Sequence, residues 1–376
     1  MSAGLEARRQ RLSRRALSRA TLDRQHLLRR ADGDSALTMV GHLFGLQAQA
    51  PMAPYFALWA RLKGFRPADL STLIEDRDVV RIVLMRGTVH AVTAADARAL
   101  RPWVQPIMDA DLRTNTLHKK GLAGMDIAAL ADWSREVVDR TPMAMAELRP
   151  LLAERWPDRD PAALAHGVRN LLPLVQVPPR GIWGRSGQPV CTTLERWTDT
   201  PLSEPIPDEI ILRYLAAYGP ASAADAQAWS GLTRLGEVFD RLRPRLRVFV
   251  DEDGAELFDL PDAPRPDPAG SLPPRILAPY DSVLLGHANR SRVIADEHRK
   301  AVFTVNGIIK PTVLVGGQVA GFVTITAKKR SAALEIATFA PVAKGAASAL
   351  EAEAQRLLTF AHPDADDHDI RFTDAR

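Results

Sequence analysis

The stretch His42-Leu43-Phe44-Gly45-Leu46-Gln47-Ala48-Gln49-Ala50-Pro51 joins a run of apolar residues at helical spacing to a proline. In a continuing helix, Gln47 and Gln49 would point about 200° apart around the axis. Pro51 favours an extended backbone before it, and side chains two residues apart lie on one side of an extended segment. Two neutral amides are therefore expected to face a common point. The alternative is that they only satisfy the last carbonyl groups of a helix that ends there.

Length and composition describe a globular chain of several subdomains. The 376 residues exceed one ordinary core, so about two to four subdomains are expected. The contents of 46% hydrophobic and 25% charged residues are typical of a folded globular protein. No apolar run is long enough to cross a bilayer, and the arginine-rich start is not followed by the apolar core of a signal peptide. A cytoplasmic protein without membrane association is expected.

Cysteine and histidine usage argues against a metal centre. Cys191 is the only cysteine, which excludes an internal disulfide framework and a thiolate metal cluster. The nine histidines have no paired-ligand spacing such as HExxH. The sequence therefore predicts neither a metal nor a cofactor.

Positive charge is concentrated at the N-terminal end of the chain. Residues 1–100 hold 16 Lys/Arg against 9 Asp/Glu, a formal charge of +7, which leaves −3 for the remainder of the net +4. Nine arginines lie between residues 8 and 30, and Arg14 and Arg15 are among them. This density suits contacts with nucleic-acid phosphates, although a charged run can also be an ordinary solvated face.

Three segments share the order of helices followed by a β-hairpin, which is the order of a winged helix. The predicted helices are 54–62, 68–75, 127–140, 145–156, 161–171, 209–217, 222–229 and 232–242. The predicted strands are 80–85, 88–93, 174–177, a Gly-rich return at 180–187, 246–250 and 256–260. Further strands at 276–277, 283–285, 302–305, 312–315, 319–325, 334–337 and 370–372, with a helix at 341–361, predict a small antiparallel sheet or barrel. The predicted divisions are a basic arm at 1–33, winged helices at 34–125, 126–205 and 206–262, and a β-barrel at 263–376.

Several landmarks in a consistent order carry a resemblance to a known family. They are Leu22–Arg30, Gly45–Gln49, Leu84–His90, Arg180–Gly184 and Ala278–Gly286. Together they resemble the bacterial winged-helix family of AlkZ-type DNA glycosylases. The resemblance implies an α+β fold in which three tandem winged-helix subdomains are arranged around a C-terminal antiparallel β-barrel, with double-stranded DNA in a concave channel. Members of this branch use a Gln–apolar–Gln motif, which Gln47-Ala48-Gln49 matches, whereas a related branch has aspartate at the second position.

The chemistry of two amides predicts the class of substrate. Alkylation at N7 makes guanine cationic, so the base can leave as a neutral species without being protonated. A glutamine carbonyl can accept a hydrogen bond from the attacking water and turn its dipole towards an oxocarbenium-like sugar, but it is not a useful base. Gln47 and Gln49 are therefore the predicted catalytic residues of a monofunctional glycosylase. Its expected substrates are N7-alkylguanine adducts and interstrand crosslinks of the nitrogen-mustard or azinomycin kind.

The predicted DNA contacts are Arg86 at the tip of the first wing, Lys310, Arg14 and Arg15; each could also be an ordinary surface charge. His90 is expected to pack within a strand without a chemical role. The rival hypothesis is a winged-helix transcriptional regulator without catalytic activity, which explains the basic N-terminus but not the paired glutamines. The chain is expected to act as a monomer at the nucleoid, because it supplies several DNA-binding units itself.

Overall fold

A computed structural model describes residues 10–270 and 272–375. Arg8 and Arg9 of the predicted basic arm lie outside these residues. The described chain has a mixed α+β fold, and in each of the three predicted helix-and-hairpin units helices lead into strands. No helix of the described residues is both long enough and apolar enough to cross a membrane.

The first unit places the glutamine motif between two helices. The helix α1 (Arg14–Arg24) lies in the predicted basic arm. The elements of the first unit are α2 (Ala36–His42), β1 (Leu46–Gln47), α3 (Ala53–Arg61), α4 (Pro67–Glu75), β2 (Val79–Val83), β3 (Val89–Thr93), α5 (Ala94–Trp103), α6 (Gln105–Thr114) and α7 (Lys119–Leu122). Ser35 begins α2 because its hydroxyl accepts a hydrogen bond from Thr38 N at 3.0 Å. The helices and the hairpin predicted for this unit are confirmed.

The second and third units repeat the order of helices and hairpin. The second consists of α8 (Ile127–Arg140), β4 (Met143–Ala144), α9 (Met145–Arg155), α10 (Pro161–Leu171), β5 (Leu174–Gln176), β6 (Val190–Thr193) and α11 (Leu194–Thr198). The third consists of α12 (Pro207–Tyr218), α13 (Ala223–Ser230), α14 (Gly236–Leu242), β7 (Arg247–Val250) and β8 (Glu256–Asp259). The return predicted at 180–187 is wrong, because this segment is a loop and the strand forms at β6.

The first two units share one six-stranded sheet, in the order β1-β3-β2-β5-β6-β4. Ile82 of β2 pairs with Val175 of β5, which joins the two hairpins edge to edge. In contrast, β7 and β8 of the third unit form a separate two-stranded sheet. The glutamine strand β1 is consequently an outer strand of a sheet that two units build together.

The C-terminal part is an open sheet and not the predicted antiparallel barrel. Its elements are β9 (Arg275–Ile276), α15 (Asp296–Val302), β10 (Thr312–Val315), β11 (Gln318–Lys328), β12 (Ser331–Thr338), α16 (Lys344–Ala361) and β13 (Asp367–Asp374). The sheet order is β13-β12-β11-β10-β9, so β13 and β9 are its edges within the described chain. Because α16 connects β12 to β13 as a crossover, these two strands are parallel.

Two buried ion pairs fasten the N-terminal helices to later parts of the chain. Arg24 of α1 donates to Asp259 at 2.7 Å, and Arg61 of α3 donates to Asp281 at 2.7 Å. The side chains of the second pair are fully enclosed. Asp281 also accepts from Val283 N at 3.1 Å, so its role here is structural.

Candidate active site

The chain reaches β1 through two residues with left-handed backbone conformations. Phe44 has φ 58° and Gly45 has φ 99°, directly after α2. Phe44 tolerates this conformation because its ring stacks on Trp229 of α13, with a centroid distance of 5.8 Å. Gly45 lacks a Cβ, which makes positive φ accessible at little cost. This turn ends the helix and directs the next residues into the sheet.

The two glutamine side chains lie on the outer side of this short extended segment. Leu46 and Ala48 are buried in the hydrophobic core, and the alternation of an extended chain turns Gln47 and Gln49 the other way. The predicted extended backbone is confirmed at Leu46–Gln47, where Gln47 pairs with His90 of β3. Gln47 is buried to 9% exposure, whereas Gln49 is exposed. Gln49 Oε1 lies 3.5 Å from Val89 N, a weak contact that leaves the amide accessible.

Arg86 lies against Gln47 and not at a free hairpin tip. Its Nη2 donates to Gln47 Oε1 at 2.7 Å, and its Nη1 donates to the carbonyl oxygen of Trp229. Burial lowers the pKa of this guanidinium to about 10, so it remains cationic at neutral pH. Both terminal nitrogens of Arg86 therefore have partners within the protein. Its contact with DNA stays a prediction.

His90 is the only titratable cross-strand neighbour of Gln47 in β3. It is 2% exposed, and burial, with a further contribution from Arg86, lowers its pKa to about 3. Its Nδ1 lies 2.9 Å from the carbonyl oxygen of Thr88, which can only accept, so Nδ1 carries the proton of the neutral ring. The ring is therefore uncharged at neutral pH and is a very weak base.

Arg81 holds the backbone between the two glutamines and was not identified from the sequence. Its Nη2 lies 3.2 Å from both Ala48 O and Gln176 Oε1, the latter from the second unit. Burial lowers the pKa of Arg81 to about 10, with a smaller contribution from Arg180. Gly181 makes room for this side chain, because a Cβ there would lie 2.4 Å from Arg81 Cδ. The one feature of the sequence that could have indicated this role is an arginine within an otherwise apolar strand. Its partner Gln176 lies 95 residues further along the chain.

The other predicted DNA contacts are distributed over separate surfaces. Arg14 and Arg15 are exposed on the first turn of α1, and Arg15 Nε donates to Pro268 O at 2.5 Å. Lys310 is half-buried, with Nζ 3.8 Å from the centroid of Phe322. A further exposed cationic stretch, not predicted from the sequence, is Lys328-Lys329-Arg330, which ends β11 and forms the turn before β12. Three consecutive cations between two strand-like runs could have identified it.

Comparisons with known proteins identify the family and the fold of this chain. A 314-residue match at 24% identity aligns 76% of this chain with 81% of the "Interstrand DNA cross-link repair glycosylase" of Streptomyces sahachiroi. The fold is similar to the solved structure of Streptomyces sahachiroi DNA glycosylase AlkZ, with a TM-score of 0.81 at 22% identity, covering 96% of this chain and 100% of that one. The family model described as "DNA glycosylase AlkZ-like" matches residues 40–360. The chain therefore belongs to the AlkZ-like DNA glycosylase family.

Proposed function

We propose that this DNA glycosylase hydrolyses the N-glycosidic bond of cationic N7-alkylguanine adducts, including interstrand crosslinks, with Gln47 and Gln49 as its catalytic residues. The observation that carries the proposal is a site of two amides without a titrating base. Among the described residues, no carboxylate hydrogen-bonds to either glutamine, and the pKa of the neighbouring His90 is about 3. The related Streptomyces protein named for crosslink repair supports the same substrate class.

Such a site matches the needs of a base that already carries positive charge. As the C1′–N9 bond breaks, its electron pair neutralises the purine cation, and the base leaves without an added proton. Water forms the new bond to C1′ and releases its proton to solvent. The amides only have to position water and stabilise developing charge, which fixed dipoles do well in a partly buried site. Unmodified bases, which leave as anions, should resist the same site.

We further propose that the three helix-and-hairpin units are winged helices that face double-stranded DNA together with the C-terminal sheet. Arg14, Arg15 and Lys310 remain proposed contacts, and the exposed Lys328-Lys329-Arg330 turn is added to them. Arg330 is already paired with Asp366, so the two lysines are the freer charges. A chain with several such surfaces suits action as a monomer. Membership of a glycosylase family does not support the alternative of a regulator without catalysis.

The test is base release from duplexes with a single N7-methylguanine or a defined N7-guanine crosslink, under single-turnover conditions. Gln47→Ala and Gln49→Ala should each slow release by about 10²-fold or more, the usual effect of removing a polar group that stabilises a transition state, while duplex affinity stays within about threefold. Gln355→Ala removes an exposed glutamine of α16 and should behave as the native protein. Binding of lesion duplexes without any release of base by the native protein would refute the proposal.

A further inference from the structure

We propose that Arg86 is a positioning residue that locks the amide of Gln47 with its Nε2 donor, rather than its carbonyl oxygen, directed at the departing purine. The inference rests on the proposed function, and it deepens it by giving the first glutamine a donor role. It differs from the sequence-based expectation that this carbonyl accepts a hydrogen bond from water.

The orientation of the Gln47 amide follows from the chemistry of its partner. A guanidinium can only donate hydrogen bonds, so the atom 2.7 Å from Arg86 Nη2 must be the amide oxygen. The Nε2 group lies on the other branch of the same planar amide and is directed away from Arg86. Within the described chain, Nε2 makes no hydrogen bond and is not among the enclosed unpaired nitrogens. It is therefore open to a ligand.

Arg86 itself is held in place from the third unit. Its second terminal nitrogen donates to Trp229 O, one of the last carbonyl groups of α13, which have no partner within the helix. The backbone of Arg86 has φ 56°, and Gly231 admits its close approach, since a Cβ at Gly231 would lie 3.0 Å from Arg86 Cα. The C-terminal end of α13 in the third unit thus holds the Arg86 guanidinium, which in turn holds the Gln47 amide on β1 of the first unit.

The charge on Arg86 also makes the amide a stronger donor. A hydrogen bond from a cation to the amide oxygen polarises the group and strengthens its N–H bonds as donors. When C1′–N9 breaks, electron density moves into the purine, and its acceptor atoms become better hydrogen-bond acceptors. A donor placed there stabilises the transition state more than the ground state, which is the requirement for catalysis.

The first experiment is a double-mutant cycle on the single-turnover rate of N7-methylguanine release. Arg86→Met should slow release by about 10²-fold, as Gln47→Ala does, because one transition-state donor is lost. The double variant Arg86→Met/Gln47→Ala should be no slower than Gln47→Ala alone, since Arg86 acts through Gln47. Arg86→Lys retains a cation and should recover part of the rate. Multiplied losses in the double variant, or a native rate for Arg86→Met, would overturn the inference.

A matched control separates positioning from stability. Arg101 is likewise buried, donates to Asn170 O at 2.8 Å and has a pKa lowered to about 10 by burial, but it hydrogen-bonds to neither Gln47 nor Gln49. Arg101→Met should therefore keep the native rate in the folded fraction. Gln47→Glu retains an oxygen for Arg86, loses the Nε2 donor and adds a negative charge that Arg86 neutralises, so it should be as slow as Gln47→Ala. A Gln47→Glu variant as fast as the native protein would reject the donor role, whereas an inactive native protein would reject the proposed function itself.

Discussion

At the scale of single residues, the site contains no group that titrates near neutrality. The amides of Gln47 and Gln49 do not ionise, His90 is already neutral above its pKa of about 3, and Arg86 stays charged below its pKa of about 10. The single-turnover rate at saturating enzyme should therefore be flat from about pH 5 to pH 9 and fall above about pH 10. Base release corrected for spontaneous depurination measures this. A sigmoidal rate change between pH 5 and pH 7 would reveal a base that the site does not display.

Whether a contact in the site could be predicted from the sequence depends on how far apart its residues lie along the chain. The extended backbone at Leu46–Gln47 could be predicted because it lies within a few residues of Pro51, which disfavours helix in the residue before it. The partners of Arg86 could not, because Gln47 is 39 residues away and Trp229 is 143 residues away. Such a contact depends on how two units pack. Pattern alone placed Arg86 at a hairpin tip, where an arginine would face solvent.

At the scale of elements, the pair Arg61–Asp281 ties α3 to the segment before α15. Asp281→Asn would leave a fully enclosed guanidinium without its counter-charge, which costs about 3–5 kcal/mol. The midpoint of thermal unfolding should fall markedly. Asp366→Asn is the control, because the Asp366–Arg330 pair is exposed and such pairs contribute about 0–1 kcal/mol. Equal midpoints for the two variants would contradict this assignment.

Element boundaries in the helical units were predictable because apolar spacing and capping residues agree there. The strands predicted at 283–285 and 302–305 are both wrong, and the two errors have a common cause. Ser282–Leu284 form a short 3-10 turn capped by Asp281, whereas Val302 ends α15 and Phe303 makes an isolated bridge to Ile309. Short apolar runs have the composition of a buried strand, and only tertiary packing decides their backbone. The parallel pairing of β13 with β12 could not be predicted either, because the direction of pairing depends on where α16 packs.

At the scale of the whole molecule, buried histidines predict sensitivity to acid. Burial lowers the pKa of both His90 and His287 to about 3, from about 6.5 in an unfolded chain. Between these two pH values the unfolded state therefore binds more protons than the folded state. The contribution of the neutral histidines to the free energy of unfolding is complete above about pH 6.5 and is lost as the pH falls towards 3. His287→Gln keeps a donor for Tyr218 O and cannot titrate. The thermal midpoint of this variant should fall less between pH 7.5 and pH 5 than that of the native protein.

A substitution at a less buried histidine provides the control for this effect. His368 lies on β13 and is partly exposed, unlike the enclosed ring of His287. His368→Gln should leave the acid-induced drop of the midpoint as it is in the native protein. An unchanged drop in His287→Gln would show that buried carboxylates and not this histidine dominate the acid response.

The first two units build one six-stranded sheet together, so genetic recombination that separates them would break this sheet. A gene segment for the first unit alone would carry the glutamine strand, but it would leave β2 without its neighbour β5 and would leave Arg81, which donates to Ala48 O, without its contact to Gln176. The exposed strand edge would invite pairing with other chains. The two units are therefore inherited or exchanged most readily as one block, whereas the third unit has a hairpin sheet of its own.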